Sequence, residues 1–209
     1  MKIPLAKDGW KFLIFLGIIT AVSYLYFSWL SLMPAGVLLF TAYFFRDPER
    51  ELPKIEGGFL SPADGKVVEI AEVYEGDFIR DQALRISIFL SLFDVHINRA
   101  PVSGEVTFLH YKKGRFVAAM KAAASEVNEA NSIGIVQGDL KVLVKQIAGV
   151  IARRIVCPLQ LKDKITAGQR IGLIRFGSRT EIYLPPETEI WVKEGSKVKG
   201  GETILGVLK

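Results

Sequence analysis

Two textures of hydrophobic patterning divide this chain. Over positions 12–32 apolar and aromatic residues run without a charged side chain, about 21 residues, enough for a helix to cross a hydrocarbon layer of roughly 30 Å. Met33-Pro34-Ala35-Gly36 interrupts the run, and VLLFTAYFF at 37–45 resumes it. The whole block is too long for one span and short of two, so the pattern predicts a tight helical hairpin turning near 34–36. Lys2, Lys7 and Lys11 precede the block, Arg46, Arg50 and Lys54 follow it, and the expected turn carries no charge. That distribution places both flanks on the cytoplasmic side of a membrane. A signal peptide fits poorly, because its apolar core would be shorter and a small-residue cleavage site would follow.

Beyond Phe45 the texture changes to RDPERELPKIEGG, a charged connector punctuated by Pro and Gly. From Phe59 onward, short Val-, Ile- and Phe-rich runs alternate with Gly, Pro and Asp turns. They predict strands at 66–70, 84–89, 104–109, 132–137, 141–148, 170–176, 181–184 and 189–192. Positions 117–125 (VAAMKAAAS) predict a short helical turn or loop. The expected architecture is a mainly-β (β-rich α+β), barrel-like domain over 51–209, preceded by a membrane-anchoring helical hairpin and connector over 1–50. Two segments, SPADGKVVEI (61–70) and VKEGSKVKGGETILGVL (192–208), resemble the hammerhead barrel of biotinyl and lipoyl carriers, with Gly195, Val198, Gly201 and Ile204 at its spacing. A carrier needs its modified lysine at a hairpin tip. Met120-Lys121 has alanines on both sides and no acidic neighbour, so the resemblance is architectural.

Composition narrows the partners. The net charge of +5 suits an anionic lipid surface, whereas no basic stripe interleaved with aromatics marks a nucleic-acid reader. The single cysteine, Cys157, excludes an internal disulfide framework and a cysteine-rich zinc site. It lies in an apolar run and reads as a small packed residue. No metal site is expected. Histidine chemistry must use His96 or His110, and His110, at a strand end, reads as structural.

Gly177-Ser178, within LIRFGSRTEIYLP, lies between two predicted strands, where an ordinary hairpin turn would also place such a pair. The same pair has a chemical use. Glycine leaves its carbonyl sterically open and tolerates strained backbone. A neighbouring serine hydroxyl can attack that carbonyl and turn the amide into an ester. Asp64 sits in an Asp-Gly turn typical of structural turn carboxylates, and His96 lies in FDVHINRAP beside Arg99.

Six stretches in order, FFRDPER (44–50), SPADGKV (61–67), LFDVHINRAPVSGEV (92–106), KAAASEVNEANSIGI (121–135), IAGVIARRIVCPL (147–159) and FGSRTEIYLP (176–185), resemble the short, single-domain form of the phosphatidylserine decarboxylases across essentially the full chain. The resemblance implies self-cleavage between Gly177 and Ser178 into a β chain, 1–177, and an α chain, 178–209. The α chain would begin with a pyruvoyl cofactor made from Ser178, which forms a Schiff base with the substrate amine. It implies Asp64 as the acidic member of a self-processing relay. Longer relatives carry two histidines three residues apart, the second acting as the cleavage base. Here His96 holds the first position and Arg99 the second, and arginine cannot act as a base at ordinary pH. His96 is therefore assigned as base or proton donor, and Arg99 to the substrate's carboxylate or phosphate. The expected partners are a phospholipid in the cell membrane, the chain's own two fragments as a heterodimer, and, left open, further copies of itself. Archaetidylserine would suit the same mechanism. A non-enzymatic membrane adaptor is the rival from another class, but the coiled-coil heptads of such proteins are missing.

Overall fold

The first apolar run folds into helix α1 (Trp10–Tyr26) in the computed structural model, which describes residues 5–115, 117, 124–149, 154–175 and 177–208. The chain divides into two units, Met1–Glu49 and Arg50–Lys209. In the first unit, α1 and the turn before it cover Lys7–Tyr26. At 1.5 Å per residue these 20 residues span about 30 Å. Among the described residues this is the one helix long and apolar enough to cross a membrane. Helix α2 (Leu32–Phe44) has 13 residues, about 20 Å.

The reversal between them lies earlier than the pattern predicts. Phe27 leaves helical geometry at φ −148°, and a 3₁₀ turn, Ser28–Ser31, follows, with the Ser31 hydroxyl donating to the Ser28 carbonyl at 2.6 Å. Pro34 instead falls in the first turn of α2, where a missing N–H breaks no helical bond, so it is a poor marker of the turn. The hairpin closes at its open end. Leu5 bridges Arg46, the Ala6 N–H donates to the Phe45 carbonyl at 2.8 Å, and Phe12 stacks on Phe45. The Thr20 and Thr41 hydroxyls bond back to the carbonyls of Leu16 and Val37, which satisfies them within their own helices.

The second unit is built of antiparallel strands: β1 (Gly58–Leu60), β2 (Gly65–Glu75), β3 (Asp81–Leu90), β4 (Ile97–Arg99), β5 (Gly104–Lys112), β6 (Ala130–Gln137) and β7 (Leu140–Ala148), then β8 (Ile155–Val156), β9 (Lys164–Ile165), β10 (Arg170–Ile174), β11 (Ser178–Leu184), β12 (Thr188–Ile190), β13 (Lys197–Val198) and β14 (Ile204–Leu208). One short helix, α3 (Ala124–Val127), follows β5. All eight predicted strands form, most of them longer than predicted. The remaining strands, most of them two or three residues long, carry too few alternations to be seen as a pattern. The predicted helical turn at 117–125 overlaps α3 only at its end; 118–123, with Met120-Lys121, lies outside the described residues.

Eight strands make one sheet in the order β13-β2-β3-β11-β7-β6-β5-β9; β1-β14-β12 and β4-β10-β8 make two smaller ones. The buried core draws Ile86, Ile88, Val144, Ile133 and Ile182 from the large sheet and Ile171 and Leu205 from the small ones. Each such side chain contributes roughly 1.5–3 kcal/mol when taken fully out of water. The two carrier-like segments meet: β13 pairs with β2, and the Gly201 N–H donates to the Ser61 carbonyl at 2.9 Å.

Candidate active site

Gly177-Ser178 is not a hairpin turn. Strand β10 belongs to a small sheet, while β11 lies in the middle of the large one, paired with β3 and β7, so the link is where the chain crosses between sheets. Gly177 has φ +64° and open space where a Cβ would point. Backbone conformation alone therefore selects glycine there. Ser178 begins β11, opposite Leu90 on one side and Ala148 on the other, and is 0% exposed. Its hydroxyl has no hydrogen-bond partner among the described residues. Leaving such a group unmatched costs about 1–3 kcal/mol.

His96 reaches this link from 81 residues away. Its approach is set by a tight turn in which the Asp94 carboxylate accepts from the Ser91 N–H at 2.8 Å and the Ser91 hydroxyl at 2.6 Å. The Asp94 carbonyl lies 2.9 Å from His96 Nδ1 and can only accept, so Nδ1 carries the proton. Nε2 is left with its lone pair and accepts the Gly177 N–H at 3.3 Å. His96 is fully buried, and its own carbonyl accepts the Ile174 N–H, which fastens it to β10. The structure thus gathers His96, Gly177 and Ser178 at one point.

Asp64 and Arg99 are held by other groups. Asp64 takes a two-nitrogen fork from Arg50 at 2.7 and 2.9 Å and the Gly200 N–H at 2.8 Å. Burial nevertheless pushes its carboxyl above the usual range, outweighing Gly200 and Arg50. The following Gly65 is obligatory, since a Cβ there would sit 2.2 Å from the Phe89 carbonyl oxygen. Arg99, on β4, is buried and donates from Nη1 to the Gly168 carbonyl at 3.0 Å. Its N–H donates to the Pro62 carbonyl, two residues before Asp64, so the Asp64 turn and the His96–Arg99 segment are neighbours. Of the remaining candidates, Cys157 packs against the core with its thiol pushed up by burial, and His110 is exposed and stacks on Phe108.

Sequence reasoning missed two polar clusters. On the outer face of β11, buried Glu181 pairs with Arg179 at 3.0 Å and accepts from Ser125 and Tyr183, while Arg179 also reaches Glu69 and Ser87. On the inner face, Thr180, Gln146, Asn131 and Asn98 form a buried row of hydrogen bonds. The only signal was local, polar residues at alternate positions of a strand that starts with Ser178. Their partners lie on strands far away in sequence.

A family model described as phosphatidylserine decarboxylase matches residues 37–206, most of the chain. The chain belongs to the phosphatidylserine decarboxylase family. It is 48% identical to a phosphatidylserine decarboxylase proenzyme of Carboxydothermus hydrogenoformans, with all of both chains covered. It is 48% identical to one of Symbiobacterium thermophilum, covering all of this chain and 98% of that one, and 46% identical to one of Syntrophus aciditrophicus, at 97% and 96%. Decarboxylases of this family are carboxy-lyases, which removes the adaptor and carrier readings.

Proposed function

We propose that this chain is a self-processing decarboxylase that converts phosphatidylserine to phosphatidylethanolamine and CO₂ with a pyruvoyl group made from Ser178. The observation that carries the reading is the buried Ser178 hydroxyl, without a hydrogen-bond partner among the described residues, following a left-handed glycine with a histidine nitrogen on that glycine's N–H. These residues fit the group: a nucleophile not tied up in hydrogen bonds, an open carbonyl before it, and a base beside the link.

The Ser178 oxygen attacks the Gly177 carbonyl carbon, His96 Nε2 gives up the Gly177 N–H and serves as base for the hydroxyl proton, and the C–N bond breaks to leave an ester and a free amine at residue 178. Loss of the residue 178 α-proton then breaks the Cβ–Oγ bond and releases Gly177 as a new carboxylate terminus. The remaining enamine tautomerises, takes up water and loses ammonia, which leaves the α chain capped by pyruvoyl. Asp64 is assigned to the processing relay, where its turn lies beside the His96–Arg99 segment. Pyruvoyl supplies a carbonyl that condenses with the substrate amine and draws off electrons as CO₂ leaves. His96 returns a proton to the substrate carbon, and Arg99 supplies the positive charge for the lipid's carboxylate or phosphate.

The fragments of such a cut stay together. Strand β11 is hydrogen-bonded on both sides by strands of the β chain, β13 pairs with β2 and β14 pairs with β1. The carrier-like meeting of 61–70 with 192–208 supports a hammerhead arrangement for this part of the barrel. The helical unit, apolar on all sides with Leu25 80% exposed and Leu39 71% exposed, suits lipid rather than water. With basic residues at both flanks, it is read as a membrane anchor that keeps the catalytic unit on the cytoplasmic face. Intact mass of the protein purified from its membrane tests the reading. Two chains are expected, the smaller beginning with a pyruvoyl group at position 178; a single chain with serine there would overturn it.

A further inference from the structure

The inner face of the large sheet carries a row of polar side chains where apolar ones would be expected. Thr180, Gln146 and Asn131 are direct cross-strand neighbours on β11, β7 and β6. The Asn131 amide donates to Gln146 Oε1 at 2.9 Å, and Gln146 Nε2 donates to Asn98 Oδ1 at 2.8 Å. Asn98 Nδ2 in turn donates to Thr180 Oγ1 at 3.0 Å and to the Pro62 carbonyl at 3.2 Å. Asn98, Gln146 and Thr180 are 0% exposed and Asn131 6%. Gln146 and Asn98 each use both ends of the amide, accepting at the oxygen and donating from the nitrogen, so the row runs in one direction and specifies a single arrangement.

Its position connects the parts of the site. Asn98 is two residues from His96, Thr180 two residues from Ser178, and Pro62 two residues from Asp64. Asn98 sits on β4 in a small sheet and Thr180 on β11 in the large one, so their bond ties together the two sheets between which Gly177-Ser178 crosses. Gly172, opposite Asn98 on β10, leaves room for the row; a Cβ there would lie 2.7 Å from Gln146 Nε2. Apolar residues of the same volume would fill this space with no polar group to match. The row therefore adds geometry where hydrophobic filling would add only burial.

We propose that Asn98, Gln146, Asn131 and Thr180 form a positioning brace that sets His96 against the Gly177-Ser178 link for self-cleavage, a role that rests on the reading of Ser178 as pyruvoyl precursor. The residues do not touch the reacting atoms. They act through β4 and β11, and a displacement of about 1 Å between catalytic groups can slow a reaction about a hundredfold.

The full chain is synthesised in a cell-free system with phospholipid vesicles, pulse-labelled, and its conversion to two fragments followed by denaturing electrophoresis. Thr180→Val removes the acceptor at nearly constant volume, and Thr180→Ser restores it. The brace predicts that Thr180→Val converts about ten- to a hundredfold more slowly while still reaching full conversion, and that Thr180→Ser keeps the wild-type rate. A purely structural role would instead reduce how much chain folds and converts, with the folded fraction cutting at the wild-type rate; that result overturns the brace. Should Thr180→Val fail to fold, Asn131→Ala, at the far end of the row, decides: a rate several-fold slower supports the brace and an unchanged rate overturns it. A wild-type chain that never cuts overturns the Ser178 reading and the brace with it, whereas a wild type that cuts beside an equally fast Thr180→Val overturns the brace alone.

Discussion

The start of β11 and its middle treat the same kind of group in opposite ways. Ser178 and Thr180 lie two apart on one face of one strand, and both are fully buried. Thr180 accepts a hydrogen bond from Asn98 at 3.0 Å, while the Ser178 hydroxyl has no partner among the described residues. One residue further along, even the charged group on the outer face is matched, Glu181 by Arg179, Ser125 and Tyr183. A fold able to satisfy a buried carboxylate is able to satisfy a hydroxyl. The contrast is the one expected if Ser178 is the reactive group proposed above and the matched groups are the frame around it.

The largest effect that would break this contrast belongs to Ser178→Ala. It removes only the unmatched oxygen, so the chain should fold, remain a single 23.2 kDa polypeptide on a denaturing gel, and release no CO₂ from phosphatidylserine. Next, His96→Ala should slow conversion by roughly 10²–10⁴, the usual share of a general base, as read from pulse-labelled chain. Glu181→Leu tests the matched end: it leaves the buried Arg179 without one of its carboxylates, a loss of about 3–5 kcal/mol in chemical denaturation. The fraction that still folds should cut at the normal rate, because this cluster faces away from Ser178. Gly177→Ala, at φ +64° with space for the added methyl, should cost about 1–2 kcal/mol of stability and lower the cutting rate without abolishing it.

The smallest effect concerns pH. Burial alone would raise the Glu69 carboxyl, but Arg85 and Arg179 outweigh it and hold it below its ordinary value of 4.5. A carboxyl lowered in this way contributes stability above pH 4.5 that fades as the solution is acidified through its folded value. Glu69→Gln should flatten that acid limb by under about 1 kcal/mol, since the side chain is 33% exposed. Thermal melts of the two proteins between pH 3 and 7 would show it.

How much could be read in advance varied with the range of the interaction. The eight predicted strands announced themselves through short β-prone runs between turn residues, and the apolar hairpin through its long uncharged run; neither needs knowledge of partners. The turn of the hairpin did not: Pro34 looked like a break, yet a first-turn proline is compatible with α2, and the chain reversed at Phe27. Gly177 and Ser178 stood out only because six motifs in register surrounded them. Local pattern alone pointed to a hairpin turn, whereas the structure shows a crossing between sheets.

What the sequence determined by itself is therefore the order of the longer elements, the apolar N-terminal block, the family, and the Gly177-Ser178 pair as the proposed cleavage site, because all of these are written in contiguous residues. Tertiary structure alone decided which groups meet: His96 Nε2 on the Gly177 N–H, Asp64 in the Arg50 fork, Asn98 on Thr180. Those contacts join residues 14 to 82 positions apart, and a hydrogen bond forms or fails within a few tenths of an ångström. Sheet order and strand register set distances that fine, and no local pattern encodes either.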